Sequence, residues 1–355
     1  MTLARLEVEN FRCISSANLE FSSTRNVVTG ENSTGKTSLL EAIYLLGSGH
    51  SFRSAPLNSL IRAEQHHFLV VGKLDQIYGG VTTVGVRCLG VETEFSVNGR
   101  PPGSLGDLVR HFPVQVIDPE IHRLLEDGPS RRRRFIDWGV FHVEHAFQNA
   151  WRYFNRAIKQ RNAALKAGSS PDLHIWDADV VRYGELIGAY RQQYLAALRP
   201  FIDEVAKRLL SFEVELEYIQ GWRRNSSLLE ALDESRLRDL QRGTTSVGPH
   251  RAELVLKADG HPARDRISRG QQKMLACTLI LAQQRHRASL GAAPGCLLLD
   301  DPAAELDAAN LGKLLEIVDR LSVQLIVTAL SDFGLEILRD GKLFHVEHGT
   351  VKAMA

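Results

Sequence analysis

The stretch GENSTGKT, at residues 30–37, constrains the fold of this chain more than any other feature. Before it, the β-branched run NVVTG predicts a short buried strand; after it, apolar residues recur at helical spacing. A helix that begins here directs free backbone amides and the positive end of its dipole toward an anion. The spacing of the glycines, the lysine and the threonine is that of a phosphate-binding loop. We therefore predict a strand, a phosphate loop and a helix in succession, and an ordinary glycine-rich turn is the alternative.

In a loop of this type the backbone amides surround the phosphates, Lys36 contacts the terminal ones and the Thr37 hydroxyl ligates magnesium. We therefore expect the loop to bind a nucleotide together with Mg²⁺. The predicted nucleotide-binding residues of the loop are Gly30, Glu31, Asn32, Ser33, Thr34, Gly35, Lys36, Thr37 and Ser38.

Two adjacent carboxylates, Asp300 and Asp301, end an apolar run that starts at Cys296. At the end of a buried strand, Asp300 can hold the magnesium that Thr37 ligates, which is the Walker B role. Asp301 is the better candidate to orient the attacking water, because a carboxylate on the metal leaves its neighbour free to accept a proton. We assign Lys36, Asp300 and Asp301 to catalysis, and Thr37 and Asp300 to the metal. A turn or a helix cap is the alternative for such an acidic pair.

A second anion-binding pattern opens a later helix, in the stretch RISRGQQKMLACTLILAQ. Ser268, Gly270 and Gln271 offer a hydroxyl, a backbone that allows close approach and free amides at the helix start, so we include them among the nucleotide-binding residues. The alternative is that Ser268 only caps the helix.

Composition excludes several classes of protein. The 43 basic and 42 acidic residues balance, so affinity for nucleic acid has to come from local clusters of charge. The four cysteines are scattered without a CxxC pair, which indicates core positions, a reducing compartment and no structural zinc. The start of the chain lacks a signal-peptide pattern, and eighteen apolar residues never run together, so we expect a cytoplasmic protein without a membrane partner.

The chain reads as an α/β protein with mixed sheets and an inserted helical lobe. Strand patterns dominate the first hundred residues, and strand patterns return in GCLLLDDP and VQLIVTAL. Between them, VQVIDPE is one more possible strand, and residues 140–210 read as two helices that break at AGSSPDL, residues 167–173. We predict one lobe from residues 1–112 and 244–355, and a mainly helical lobe from residues 113–243.

Together the motifs GENSTGKT, ISRGQQK and LLLDDPAAELD resemble the ABC-type ATPase heads of the SMC family. Further blocks narrow the resemblance to the RecF family of bacterial recombination mediators. These blocks are LEVENFR, TSLLEAI, SGHSFR, DGPSRRRRFIDWGVFHVE, GPHR and LFHVEHG, and they extend over essentially the whole chain.

The resemblance implies a weak DNA-dependent ATPase that uses ATP and Mg²⁺ as a switch. In that family, ATP is held in a homodimer, here between Lys36 of one subunit and Ser268 of the other. Such dimers bind double-stranded DNA next to single-stranded gaps and, with RecR and RecO, help to load RecA in recombinational repair and replication restart.

The resemblance also implies positions near the Walker B aspartates. Residues 305–307 would form the loop that meets the partner, and Thr328 would take the switch position where many ABC proteins carry histidine. Two places depart from the family: Ser33 stands where glycine is usual, and Pro302 and Ala303 stand where a β-branched residue is more familiar.

Clustered cations are the candidate contacts for DNA, because arginine binds phosphate oxygens bidentately. The predicted contacts are Arg131, Arg132, Arg133 and Arg134. Four more cations follow at helical spacing, namely Arg152, Arg156, Lys159 and Arg161. The alternative is a solvated helix face on which some of the first four pair with Asp127 or Asp137.

Other residues near these motifs have a weaker pattern. For the interleaved aromatics Trp151, Tyr153 and Phe154, we expect core packing rather than base stacking. Five more side chains are candidates for contact with the nucleotide or with DNA phosphate, namely His50, Arg53, Arg62, His250 and Arg251. For the two histidines a structural role is favoured.

Two other functional classes share part of this chemistry. The nucleotide-binding subunit of a membrane transporter is one, but the arginine cluster and the missing switch histidine argue against it. A metabolic phosphate-loop kinase is the other, but that hypothesis does not explain the second anion-binding pattern, SRGQQK. An SMC protein with a long coiled coil is excluded, because a helical insert of this length is too short for one.

Overall fold

The computed structural model describes residues 1–53, 55–76, 79–168, 173–330 and 341–354. Its strands are β1 (Thr2–Phe11), β2 (Ile14–Glu20), β3 (Arg25–Thr29), β4 (His67–Asp75), β5 (Val81–Leu89), β6 (Glu92–Val97), β7 (Val114–Ile117), β8 (Val214–Ile219), β9 (Glu253–Ala258), β10 (His261–Pro262), β11 (Cys296–Leu299), β12 (Gln324–Ala329), β13 (Lys342–Glu347) and β14 (Thr350–Met354).

The α-helices are α1 (Lys36–Ser48), α2 (Leu105–His111), α3 (Arg123–Glu126), α4 (Pro129–Val143), α5 (Phe147–Lys166), α6 (Leu173–Leu209), α7 (Leu228–Arg242), α8 (Ala263–Arg266), α9 (Arg269–Ser289), α10 (Pro302–Glu305) and α11 (Ala308–Asp319). Two short 3₁₀ helices lie at Leu57–Leu60 and Pro249–Arg251.

A mixed sheet of eleven strands organises the first of two compact units, residues 1–121 and 279–355. Its order is β6-β5-β4-β1-β2-β14-β13-β3-β12-β11-β7. The strands from β13 to β7 pair in parallel, whereas β6, β5, β4, β1 and β2 pair antiparallel. Since parallel strands end at a common edge, β3, β12, β11 and β7 bring the residues that follow them together.

Helix α1 follows β3 and buries its apolar side against this sheet. Leu39, Leu40, Ile43 and Leu46, the residues of the predicted helical spacing, are fully buried in the core of this unit. Hydrophobic burial on this scale stabilises the helix far more than its intrinsic propensity does.

The second unit, residues 122–278, contains a small antiparallel sheet, β10-β9-β8, and several helices. Two charged networks are buried in it. Arg161 of α5 pairs with Asp177 of α6 and Asp239 of α7, and Arg191 of α6 pairs with Asp137 of α4. These ion pairs fix the helices of this unit to one another.

The mixed α/β architecture is confirmed. The compact units differ from the predicted lobes at both boundaries, because β7 pairs with β11 of the large sheet and β9 pairs with β8 of the small one. The predicted lobes, residues 1–112 with 244–355 and residues 113–243, stay a prediction. Residues 169–172 of the predicted helix break lie outside the described residues.

Throughout the described segments, the structure contains no helix that is long and apolar enough to cross a membrane.

Candidate nucleotide-binding site

The phosphate loop connects the end of β3 to the start of α1 and depends on unusual backbone angles. Gly30 has φ 150°, and a Cβ atom there would lie 2.4 Å from the carbonyl oxygen of Val346. Gly35 has φ 123° and directly precedes α1. Ser33 has φ 64°, a left-handed conformation that costs a non-glycine residue about 1–2 kcal/mol. The loop is therefore tightly constrained, and the departure at Ser33 adds strain.

The ammonium group of Lys36 lies inside this loop. Its Nζ donates hydrogen bonds to the carbonyl oxygens of Gly30, at 2.6 Å, and Glu31, at 2.8 Å. Burial lowers the pKa of Lys36, and the nearby carboxylates of Asp301 and Asp300 oppose this shift. The loop thus places a positive charge beside two acidic residues.

Asp300 accepts two hydroxyl hydrogen bonds at the same oxygen. Thr37 Oγ1 donates to its Oδ1 at 3.0 Å, and Thr328 Oγ1 donates to that atom at 2.9 Å. Burial raises the pKa of Asp300, whereas the hydrogen bonds from Thr328 and Thr37 oppose the shift. The predicted Walker B aspartate therefore contacts the predicted magnesium-binding threonine of the phosphate loop.

Asp301 has a different environment from its neighbour. Its backbone N–H donates to Thr328 Oγ1 at 2.8 Å, and its φ of 47° is left-handed. The Oδ1 atom is buried without a hydrogen-bond partner among the described residues. Burial raises the pKa of Asp301, and Lys36 opposes this shift. This carboxylate oxygen is thus not engaged by another described group, unlike Oδ1 of Asp300.

A pocket of about 640 Å³ unites these groups within the first unit. The predicted residues that line it are Asn32, Ser33, Gly35, Lys36, Thr37, Ser38, Asp300 and Asp301. Gly30, Glu31 and Thr34 shape the loop without lining the pocket. Arg53, considered above as a phosphate contact, also lines it.

Sequence reasoning missed several lining residues, namely Cys13, Phe52, Asp118, Pro119 and Glu120. The acidic residues after VQVI reach the pocket because β7 pairs in parallel with β11 and ends at the same edge as Asp300, a pairing that the local sequence pattern does not show. The prediction that all four cysteines are core residues was wrong for Cys13. It is exposed in the turn between β1 and β2, with its Sγ 3.5 Å from Ser38 Oγ.

The donor set fits Mg²⁺. Thr37 and Asp300 offer hard oxygen ligands beside a phosphate loop, and Mg²⁺ commonly takes one or two protein ligands and completes its shell with phosphate oxygens and water. In the described part of the chain, groups of three or more His, Cys, Asp or Glu side chains that could hold a metal alone do not occur.

The second predicted anion-binding stretch, SRGQQK, lies at the start of α9 in the second unit. Ser268 Oγ accepts from the Gln271 N–H at 3.3 Å, and Gln271 Oε1 accepts from the Ser268 N–H at 2.9 Å. This reciprocal pair is a capping box, so the local capping role is present. Ser268, Gly270 and Gln271 are all exposed. A second molecule can therefore reach this helix start.

Three of the four consecutive arginines on α4 have internal partners. Arg131 pairs with Asp127, as anticipated for part of this cluster. Arg132 binds both carboxylate oxygens of Glu253, at 2.7 and 2.8 Å, and Arg133 donates to a backbone carbonyl oxygen. Arg134 alone of the four is exposed. The assignment of these arginines to DNA stays a prediction, and the geometry leaves Arg134 the most accessible of them.

Helix α5 separates its cations and aromatics by burial. Arg161 is fully buried by its two aspartate partners, so it cannot contact DNA, whereas Arg152, Arg156 and Lys159 are exposed. Phe154 is core, as expected, but Tyr153 is 41% exposed and does not belong to the core.

Of the histidines considered above, His250 has the structural role that was favoured. It packs against Phe154, and its Nε2 lies 3.1 Å from the carbonyl oxygen of Thr245. His50 is exposed after α1.

The model of the RecF/RecN/SMC N-terminal domain matches residues 2–349. The DNA replication and repair protein RecF of Vibrio parahaemolyticus is 37% identical over 358 residues, which cover 99% of this chain and 100% of that protein. RecF of Thioalkalivibrio sulfidiphilus is 39% identical over 357 residues, with 99% of each chain covered.

The chain is also similar to solved structures of RecF and of an Smc head. The recombination mediator protein RecF with ATP, from the RecFOR pathway, superposes with a TM-score of 0.89 at 27% identity, covering 100% of this chain and 98% of that one. The Smc head bound to the C-terminal winged-helix domain of ScpA has a TM-score of 0.59 at 17% identity, covering 100% and 97%. That second likeness is one of fold alone.

Proposed function

This chain belongs to the RecF family, and from that premise we propose that it is an ATP-dependent DNA-binding switch. In this proposal ATP joins two copies of the chain on duplex DNA beside a single-stranded gap, and slow hydrolysis releases them. The closed dimer acts with RecR and RecO to promote RecA loading in recombinational repair and replication restart.

The observation that carries the proposal is the contact between Thr37 and Asp300 inside the loop pocket. It joins a phosphate loop to a Walker B carboxylate, which is the minimal arrangement for holding a nucleoside triphosphate with its metal. The similarity to RecF bound to ATP supports ATP as that nucleotide.

The residues divide the work of hydrolysis between them. Lys36 supplies positive charge to the terminal phosphates, and Thr37 and Asp300 would hold Mg²⁺, which neutralises charge that develops on the phosphates. Asp301 lines the same pocket, and in this proposal it orients water and accepts its proton. An aspartate here is shorter than a glutamate, so it holds the water less closely, which suits a timer more than a fast enzyme.

The second subunit completes the site in this proposal. Ser268, Gly270 and Gln271 form an exposed helix start, and such a start presents amides and a positive dipole end to an anion. We assign them to the ATP held by the other copy. Glu305 and Asp307 would lie in the segment that meets that copy. Glu305 is the last residue of α10, the short helix that Pro302 begins.

Sedimentation velocity tests the switch directly. The protein is run with a fluorescent gapped duplex in Mg-ATP, in Mg-ADP and without nucleotide. We expect a dimer on DNA only in ATP, and its loss in Lys36→Met and in Ser268→Arg.

A matched control separates the interface role of Ser268 from its capping role. Ser227 closes an equivalent capping box with Glu230 at the start of α7, so Ser227→Arg removes a cap of the same type. This control should keep the ATP-dependent dimer. A wild-type protein that stays monomeric and ignores DNA in every nucleotide state would refute the proposal and favour a transporter subunit or a kinase.

A further inference from the structure

Two tyrosines on neighbouring helices form an aromatic pair at the surface of the second unit. Tyr153 of α5 stacks on Tyr183 of α6, with ring centroids 5.0 Å apart and planes 24° apart. The guanidinium carbon of Arg152 lies 5.1 Å from the Tyr153 ring, and that of Arg182 lies 5.6 Å from the Tyr183 ring. The result is an array of two rings and two cations.

More cations on α5 extend this array. Arg156 and Lys159 follow Arg152 by four and seven residues, so the three side chains share one face of the helix. All three are exposed, and none forms an ion pair with another described residue. The exposed residues of α6 around Arg182 include two carboxylates, Asp179 and Glu185. Four cations against two carboxylates leave a positive surplus.

The buried part of α5 holds this surface in place. Arg161, on the same helix, pairs with Asp177 at 2.7 Å and with Asp239 at 3.0 Å. These pairs tie α5 to α6 and α7, so the exposed cations project from a fixed support. By contrast, Arg131, Arg132 and Arg133 already have internal partners and cannot be used without breaking them.

We propose that this α5–α6 surface, formed by Arg152, Tyr153, Arg156, Lys159, Arg182 and Tyr183, binds the single-stranded part of gapped DNA. The proposal rests on the DNA-binding function proposed above. The positive side chains on α5 are complementary to the negative charge of successive phosphates; they are Arg152, Arg156 and Lys159. The tyrosine pair with its flanking guanidiniums offers planar groups on which an unpaired base stacks, and a duplex keeps its bases stacked on one another. The combination therefore favours a single strand over a duplex.

Fluorescence anisotropy in Mg-ATP tests this surface with three probes: an oligo-dT single strand, a duplex of equal length and a gapped duplex. Two variants of the tyrosine are compared, Tyr153→Leu, which removes the aromatic ring, and Tyr153→Phe, which keeps it. A third variant combines Arg152→Ala, Arg156→Ala and Lys159→Ala. Its matched control is Arg87→Ala, at an exposed arginine of β5 in the other unit.

We expect Tyr153→Leu to weaken binding of the single strand and the gapped duplex about fivefold or more, because stacking on one aromatic ring is worth about 1–3 kcal/mol. Tyr153→Phe should bind all three probes like the unmodified protein. Tyr153→Leu and Tyr153→Phe should bind the plain duplex equally well. The triple variant should lose at least tenfold on the single strand and reduce the slope of log K against log salt by about 2. Each variant is first shown to bind ATP normally.

The outcomes separate this surface from the general function. If the unmodified protein binds DNA in ATP but the triple variant binds like Arg87→Ala, the surface is wrong and the switch stands. The surface is also wrong if Tyr153→Leu weakens the plain duplex as much as the single strand. If the unmodified protein binds none of the three probes, both proposals fall.

Discussion

The hydroxyl of Thr328 donates a hydrogen bond of 2.9 Å to Oδ1 of Asp300. Thr328 is fully buried at the end of β12, and its hydroxyl also accepts from the backbone N–H of Asp301. One side chain therefore positions both acidic residues of the pocket. Thr328 stands where the family resemblance placed a switch residue, and its contacts here are to the protein's own carboxylates.

Replacing Thr328 with valine should slow ATP hydrolysis about tenfold or more. The substitution keeps the shape of the side chain but leaves Asp300 Oδ1 and the Asp301 N–H each with one partner fewer, and a lost buried partner costs about 1–3 kcal/mol. Thr328→Ser keeps the hydroxyl and should retain most of the rate. Steady-state phosphate release, measured beside ATP affinity, checks this. Equal rates in the two variants would show that the hydroxyl does not position the aspartates.

The phosphate loop and Asp300 could be predicted because their signals are local: a spacing of residues, a strand before and a helix after. Asp118 could not, since its place in the pocket depends on parallel pairing of β7 with β11, strands that lie far apart along the chain. The sequence also did not show which arginines of the cluster are paired within the protein. Arg132, for example, binds the carboxylate of Glu253, which lies 121 residues away along the chain. Local pattern therefore identified the chemistry, while long-range pairing decided which side chains remain available.

Gly30→Ala should destabilise the protein by about 1–3 kcal/mol and impair ATP binding. At φ 150° an alanine is strained, and its Cβ would approach the Val346 carbonyl oxygen to 2.4 Å. The loop would have to move away from the conformation that surrounds phosphate. Urea unfolding and binding of a fluorescent ATP analogue measure the two effects.

The matched control for this glycine is Gly312, inside α11. A Cβ atom added there would meet nothing within 4 Å, and φ is helical, so Gly312→Ala should stabilise the protein by about 0.5–1 kcal/mol. A Gly30→Ala protein that is as stable as the unmodified one and binds ATP normally would contradict the described loop geometry.

His250 should make the protein less stable as the pH falls from about 6.5 to 4. Burial lowers the pKa of His250 to about 4, from an ordinary value of 6.5. In that window the unfolded chain binds a proton that the folded chain excludes, so the free energy of unfolding rises with pH and the stability is fully present above pH 6.5. At about 1.4 kcal/mol per pKa unit, the loss by pH 4 is on the order of 3 kcal/mol.

Urea unfolding at a series of pH values measures how the free energy of unfolding depends on pH in the unmodified protein and in His250→Gln. The glutamine does not titrate, so the variant should show a shallower dependence between pH 6.5 and 4. His261→Gln, at an exposed histidine of β10, should keep the original slope. Identical slopes in all three proteins would assign the acid sensitivity to other groups.

Arg161→Met should destabilise the protein by about 3–5 kcal/mol. The substitution leaves Asp177 and Asp239 buried without their shared cation, and an uncompensated buried charge costs far more than the ion pair contributes. Arg156→Met on the same helix replaces an exposed arginine and should change stability by no more than about 0.5 kcal/mol. Urea unfolding compares the two. If Arg161→Met lost less than about 1 kcal/mol, the ion pairs would not be what fastens α5 to α6 and α7, and the rigid support assigned to the α5–α6 surface would need another origin.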